Sequence, residues 1–328
     1  RKNEGWGIPI PWDESQVTYV WFDALLNYLT VIGFGSDWEK FNKYWPAEVH
    51  FIGKDITRFH CALFPAMCMA YNDGCDKLGK QHPHPERLKA FPQRVFAHGF
   101  VNHKGAKIAK TGEAIRPMEL VNQFGPDAYR YYFLSKFDYG SDGEYSLEHF
   151  KEVYNADLAN SLGNLLSRTV GLTMQHFDGK LPAGPPPTPE FIWWDEKCLL
   201  MHEALMERCE YRTILEAVWK SVFAANQYIE NEKPWDLGKT DKAKCAVVLR
   251  ALAAHLRVVS ILLRPFMPKA AEKIYSTFQW KEEWNGINWN RLKELAKNNF
   301  DSLENGIAVN PNMLDNQRKL PPLFPRVK

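Results

Sequence analysis

A chain of 328 residues is long enough for two domains, each with its own hydrophobic core. Apolar residues make up 45% and charged residues 24%, with a formal net charge of only +2, which excludes a disordered chain or a globally basic nucleic-acid binder. Any nucleic-acid contact must therefore come from a local patch. The cysteines are scattered without a C-x-x-C pair, and Cys61, Cys68 and Cys75 read as reduced core thiols. No uninterrupted apolar run has membrane-spanning length, which predicts no membrane association. The sequence opens on Arg1 with no targeting peptide ahead of the folded pattern, as in an excerpt or processed form of a larger protein.

Along the chain, residues 5–11 read as an extended entry, Val17–Phe22 as a short buried strand and Asp23–Leu29 as a helix, with Asp23 near its start. Trp21 and Tyr28 lie seven apart, so both face one pocket or one aromatic core. Residues 31–47 read as loop. Glu48–Ile52 is a second buried strand, ending at Gly53-Lys54-Asp55 ahead of a helix from Thr57 to Tyr71. In doubly wound sheets the carboxyl end of a parallel strand, facing a helix N-terminus, is where ligands bind. Asp55 there either accepts from a ribose hydroxyl or caps the helix. His60 alone reads as a structural histidine. Residues 72–93 form a loop before a third strand, Arg94–Val101. The stretch Gly105–Thr111 then places Lys107 and Lys110 three apart among small residues. That arrangement suits shifting phosphate charge, or is simply a basic surface loop. Helices follow at Pro117–Gln123 and Ala128–Lys136, with Asp127 available as the N-cap of the second. Residues 139–145 are a connector.

From Ser146 the pattern stays helical. On a wheel of 3.6 residues per turn, Leu158, Leu162, Leu165 and Leu166 share one side, and Asp157, Ser161, Asn164 and Arg168 share another. The second stripe reads as a solvated face, although Asn164 and Arg168, one turn apart, offer an amide and a guanidinium to an unstacked base. A Pro-rich connection (179–189) leads to helices at Asp195–Arg208, Ile214–Asn231 and Lys242–Arg264. Trp235 follows a helix end, where core packing explains it poorly and base stacking explains it better. The Trp-rich stretch Phe278–Trp289 carries no reading, and Leu320–Pro325 is expected to pack back on the first domain as an extended strand.

Several segments share one resemblance. Lys107-Ile108-Ala109-Lys110-Thr111 resembles the K-M-S-K-S loop of class I aminoacyl-tRNA synthetases, with Ile108, Ala109 and Thr111 as departures. Trp6–Pro11, Tyr19–Leu25, Ile52–Ile56 and Lys233-Pro234-Trp235 resemble, in that order, the methionyl-tRNA synthetase family, in its mitochondrial or bacterial branch. No H-I-G-H signature is present, so the resemblance implies a chain without the N-terminal part of that catalytic domain, inactive alone, and poorly stable in its first domain. The implied fold is α/β: the C-terminal half of a Rossmann-like catalytic domain (1–145), an all-α anticodon-binding bundle (146–300), and a tail (301–328) packing back on the catalytic domain. The implied roles are catalysis by Lys107 and Lys110, methionine binding by Trp21, Ala24, Tyr28, Phe59 and His60, ATP binding by Gly53, Asp55 and Lys110, and anticodon binding by Asn164, Arg168 and Trp235. ATP with Mg²⁺, L-methionine and tRNA(Met) are the implied ligands, with no protein-bound metal. A monomer in the mitochondrial matrix is expected, the cytoplasm being the alternative address. A non-catalytic tRNA-binding protein and a synthetase for another amino acid remain alternative readings.

Overall fold

A computed structural model describes residues 2–79, 88–103, 105–107, 116–184, 196–297 and 306–327. Packing divides the chain into two units, Arg1–Phe100 with Gly140–Asp142, and Val101–Tyr139 with Gly143–Lys328. The helices that follow the lysine loop bury their apolar faces in the second unit's core.

In the first unit, β1 (Pro9–Ile10) and β2 (Asp13–Val17) form an antiparallel hairpin, followed by α1 (Val20–Thr30) and α2 (Trp38–Tyr44). Next, β3 (Val49–Gly53) leads through a π-helical turn, Phe59–Leu63, into α3 (Phe64–Lys77), and β4 (Arg94–His98) returns parallel to β3. Alternation along β3 buries His50 and Ile52 and leaves Phe51 exposed. The core gathers Leu25, Leu29, Phe41, Trp45, Phe64 and Cys68. Three expectations are corrected here. The strand ends at Val17 and helix begins at Val20, so Trp21 and Phe22 are helical, and Asp23 lies in the first turn without capping. Helix α3 continues to Lys77, into the expected loop. Cys61 is exposed while Cys68 is buried, because the π turn breaks the register that would align them. Burial pushes the Cys68 thiol up to about 11.

The second unit opens with β5 (Val101–His103), flanked by antiparallel β6 (Ala106–Lys107) and parallel β7 (Gly143–Glu144). The rest is mostly helical: α4 (Pro117–Phe124), α5 (Pro126–Ser135), α6 (Leu147–Val153), a π-helical segment Tyr154–Gly163 and α7 (Asn164–Phe177). Then come β8 (Lys180–Leu181), α8 (Glu196–Glu207), α9 (Tyr211–Glu232), α10 (Pro234–Thr240), α11 (Lys242–Leu263), α12 (Pro268–Ser276), α13 (Trp289–Lys297) and β9 (Ile307–Ala308), antiparallel to β8. By length and composition α11 would span a membrane, contrary to the sequence expectation. Here it is the core of the bundle, buried at every residue from Val248 to Leu263 against α7, α9, α10, α12 and α13.

Asp127 does not cap α5. That helix starts at Pro126, so Asp127 falls inside its first turn and instead accepts from the Ala270 N–H in the first turn of α12. The four leucines of the wheel are buried as expected. The polar stripe splits, because the π-helical segment shifts the register. Ser161 turns inward, and Asp157 accepts from the Tyr131 hydroxyl and Lys136, each at 2.8 Å, while Asn164 stays exposed. The C-terminal segment forms no strand on the first domain. Phe324 packs edge-on against Tyr154, and Val327 exchanges two hydrogen bonds with Asn155.

The Trp-rich stretch is pinned to α11 by charge. Glu282 accepts from buried Arg257 and from Arg291, each at 2.5 Å, while the Arg257 guanidinium lies 4.8 Å from the Trp280 ring and Arg264 lies 4.6 Å from Trp284. Burial alone would raise the Glu282 pKa, but the hydrogen bond from Arg291 and the charges of Arg257 and Arg291 outweigh it and hold it below the ordinary value. A depressed folded pKa stabilises the fold above the ordinary glutamate range, and that contribution is lost as pH falls through the depressed value. Glu282→Gln leaves the Arg257 charge buried without its carboxylate and is expected to cost about 3 kcal/mol at neutral pH. In urea melts the deficit against the unmodified chain should narrow below about pH 4.

Candidate functional site

In the first unit, Trp21, Ala24 and Tyr28 recur at helical spacing along one face of α1. The π turn that leads into α3 supplies Phe59 and His60, both buried although adjacent in sequence. Trp21 stacks on Phe59 with ring centroids 4.3 Å apart and planes 11° from parallel, and its edge meets His60 at 6.1 Å. The Tyr28 hydroxyl lies 2.9 Å from His60 Nε2, and His60 Nδ1 lies 3.0 Å from the Ile56 carbonyl. A carbonyl only accepts, so the proton of a neutral His60 sits on Nδ1, and Nε2 accepts from the Tyr28 O–H. Burial raises the Tyr28 pKa, which keeps that hydroxyl protonated. Trp21, Tyr28, Phe59 and His60 are thus brought into contact, while Ala24 shares their face of α1 and is exposed.

At the carboxyl end of β3, Gly53 lies against the Asp55 carboxylate: a Cβ there would come 2.8 Å from Asp55 Oδ1. Sequence reading treated residues 139–145 as a bare connector and missed Asp142. Its carboxylate accepts from Lys54 Nζ at 2.7 Å and from the Phe100 N–H at 2.8 Å. Ser141 meets Gly99 so closely that a Cβ there would come 2.0 Å from the Ser141 carbonyl oxygen. The only hint in the sequence was Gly99, which breaks the expected strand between β4 and β5.

In the second unit, Lys107 ends β6, with its backbone paired to Asn102. Lys110, and with it most of the lysine loop, lies outside the described residues. Asn164, Arg168 and Trp235 converge on another face. Helix α9 stops at a left-handed Lys233 (φ 46°), and Pro234 starts α10, so Trp235 sits in the first turn of α10, half-buried against the bundle. The Arg168 guanidinium lies 5.4 Å from the Trp235 ring centre and pairs with Glu230 at 2.6 Å. Asn164 stands one turn before Arg168, exposed. The partly solvated Arg168–Glu230 pair contributes about 1 kcal/mol or less, so a phosphate or base can displace it. Among the described residues no cluster of three or more His, Cys, Asp or Glu side chains has metal-site geometry.

Residues 2–170, more than half of the chain, match the family model described as "tRNA synthetases class I (M)". The chain belongs to this family. Residues 195–314 match the "Anticodon binding domain of methionyl tRNA ligase". The methionine--tRNA ligase of Halalkalibacterium halodurans is 37% identical over 335 residues, covering 100% of this chain and 46% of the relative. That of Caldanaerobacter subterraneus subsp. tengcongensis is 39% identical, covering 90% and 45%. A crystal structure of Mycobacterium tuberculosis methionyl-tRNA synthetase bound by methionyl-adenylate superposes with a TM-score of 0.73 and 31% identity, covering 99% of this chain and 59% of that one. The chain thus spans about half the length of the curated relatives it matches. Its architecture is part of a class I synthetase catalytic domain followed by a helical anticodon domain.

The fit of Gly99 against Ser141 is directly testable. Gly99→Ala should destabilise the first unit by about 2–3 kcal/mol, read as a lowered midpoint in denaturant melts followed by Trp fluorescence.

Proposed function

We propose that the protein carrying this chain is a methionine--tRNA ligase. The observation that carries the reading is the aromatic pocket of Trp21, Tyr28, Phe59 and His60, assembled in a chain of this family. A thioether packs well against aromatic rings and gains an additional S–aromatic contact there, which a branched aliphatic side chain does not. In this reading the methionine carboxylate attacks the α-phosphate of ATP, pyrophosphate leaves, and the acyl group then moves to the terminal ribose of tRNA(Met) with release of AMP. No side chain becomes covalently attached. The rate comes from positioning and from charge stabilisation of the transferring phosphate. Lys107 and Lys110 meet the leaving phosphates together with Mg²⁺ carried by the nucleotide, and Gly53 and Asp55 meet the adenosine. Asn164 and Arg168 read an unstacked anticodon base, and Trp235 stacks on one. The functional division is then 1–145 catalytic, 146–300 anticodon-binding and 301–328 a tail, in a monomer. The matched relatives are bacterial, so a mitochondrial address rests on branch resemblance alone and is tested by cell fractionation.

The deciding assay is methionine-dependent ATP–pyrophosphate exchange by the full-length protein, run against leucine, valine and cysteine. Exchange with methionine only is expected, and Lys110→Ala should lower its rate about 10²–10³-fold. Exchange with another amino acid would move the assignment within the class. No exchange, with tRNA binding retained, would leave a tRNA-binding protein. Trp235→Ala should weaken tRNA(Met) binding by about 1–3 kcal/mol in filter binding, without changing exchange.

A further inference from the structure

We propose that His50 is a positioning residue of the methionine pocket, one that holds Tyr28, and through it His60, in the binding geometry without itself touching the ligand. This rests on the assignment of Tyr28 and His60 to methionine binding above.

His50 lies on β3 behind the pocket and is 5% exposed. Its imidazole stacks on the Tyr28 ring with centroids 4.3 Å apart and planes 24° from parallel. Its other contacts close a ring of aromatic side chains: His60 at 6.2 Å, edge-on, Phe64 at 6.1 Å and Trp45 at 6.0 Å. Tyr28 needs such a support. It is 37% exposed, its hydroxyl is held by His60, and its ring meets His60 edge-on at 5.5 Å and Phe64, tilted, at 5.8 Å. Of these ring contacts the stack on His50 is the nearest and the closest to parallel, and two flat rings in van der Waals contact resist rotation of either.

A second observation shows that packing alone did not select this residue. His50 Nδ1 is buried with no hydrogen-bond partner among the described residues. Leaving a polar atom unsatisfied destabilises the fold, so an imidazole here costs stability that an apolar ring would not. Burial, and then the neighbouring His60, lower the His50 pKa, so the ring against Tyr28 is neutral. The stacking partner is therefore a flat, uncharged ring smaller than phenyl, wedged between β3 and the pocket wall.

The test compares the full-length protein with His50→Leu and His50→Phe in the exchange assay, with thermal melts alongside. Leucine keeps the apolar volume and loses the flat face. His50→Leu should raise the KM for methionine about tenfold while the KM for ATP stays within about twofold and the melting temperature is unchanged or higher. His50→Phe restores a flat ring and should bring the methionine KM back to within about threefold of the unmodified value. The proposal is overturned if His50→Leu leaves the methionine KM unchanged, if it raises both KM values equally, or if His50→Phe is as impaired as His50→Leu while melting normally. Failure of the underlying assignment shows itself separately, as absence of methionine-dependent exchange in the unmodified protein, and it overturns both.

Discussion

Burial of α11 on all sides from Val248 to Leu263 is the constraint on which the second unit depends. A helix that is apolar on all sides has no solvent face, so other elements must surround it. The neighbours α7, α9, α10, α12 and α13 do so, and each turns its opposite side outward. Two of those neighbours carry the candidate anticodon residues, Asn164 and Arg168 on α7 and Trp235 on α10. The geometry of that face therefore follows from how α7 and α10 seat on α11. The two helices also pack closely on each other: a Cβ on Gly238 of α10 would lie 2.2 Å from His176 Nδ1 of α7. The polar residues inside α11 are part of the same arrangement. His255 is fully buried and burial pulls its pKa down to about 3, so it stays neutral, while Arg257 is answered by Glu282.

The first unit meets a different constraint. Its sheet has only β3 and β4 among the described residues, too little to define a pocket by itself. The site is shaped instead by two local devices. The π turn at Phe59–Leu63 brings consecutive side chains, Phe59 and His60, to the same aromatic wall. The carboxylate of Asp142 and the missing Cβ of Gly99 hold the chain at the ends of β3 and β4. Both devices depart from regular geometry beside the candidate site, where sequence periodicity carries least information.

This explains what the sequence could and could not reveal. Long amphipathic helices such as α9 and α11 were legible because many residues repeat one pattern. The clustering of Trp21, Tyr28, Phe59 and His60 was legible from motif order. Asp157 and Ser161 were misplaced because a wheel of 3.6 residues per turn does not hold through Tyr154–Gly163. Asp127, Asp142 and His50 were missed as partners because they act on Ala270, Phe100 and Tyr28, far away in sequence. The roles of Trp280 and Trp284 were invisible for the same reason: their cation partners, Arg257 and Arg264, lie on α11.

The proposed reading of a methionine anticodon by the helical unit, on the face of Asn164, Arg168 and Trp235, is tested most directly by the affinity of the unmodified chain for tRNA(Met) transcripts with the native and with an altered anticodon, at one fixed salt concentration. If the face reads the anticodon, changing it weakens binding at least about tenfold. Equal affinity for both transcripts would contradict it.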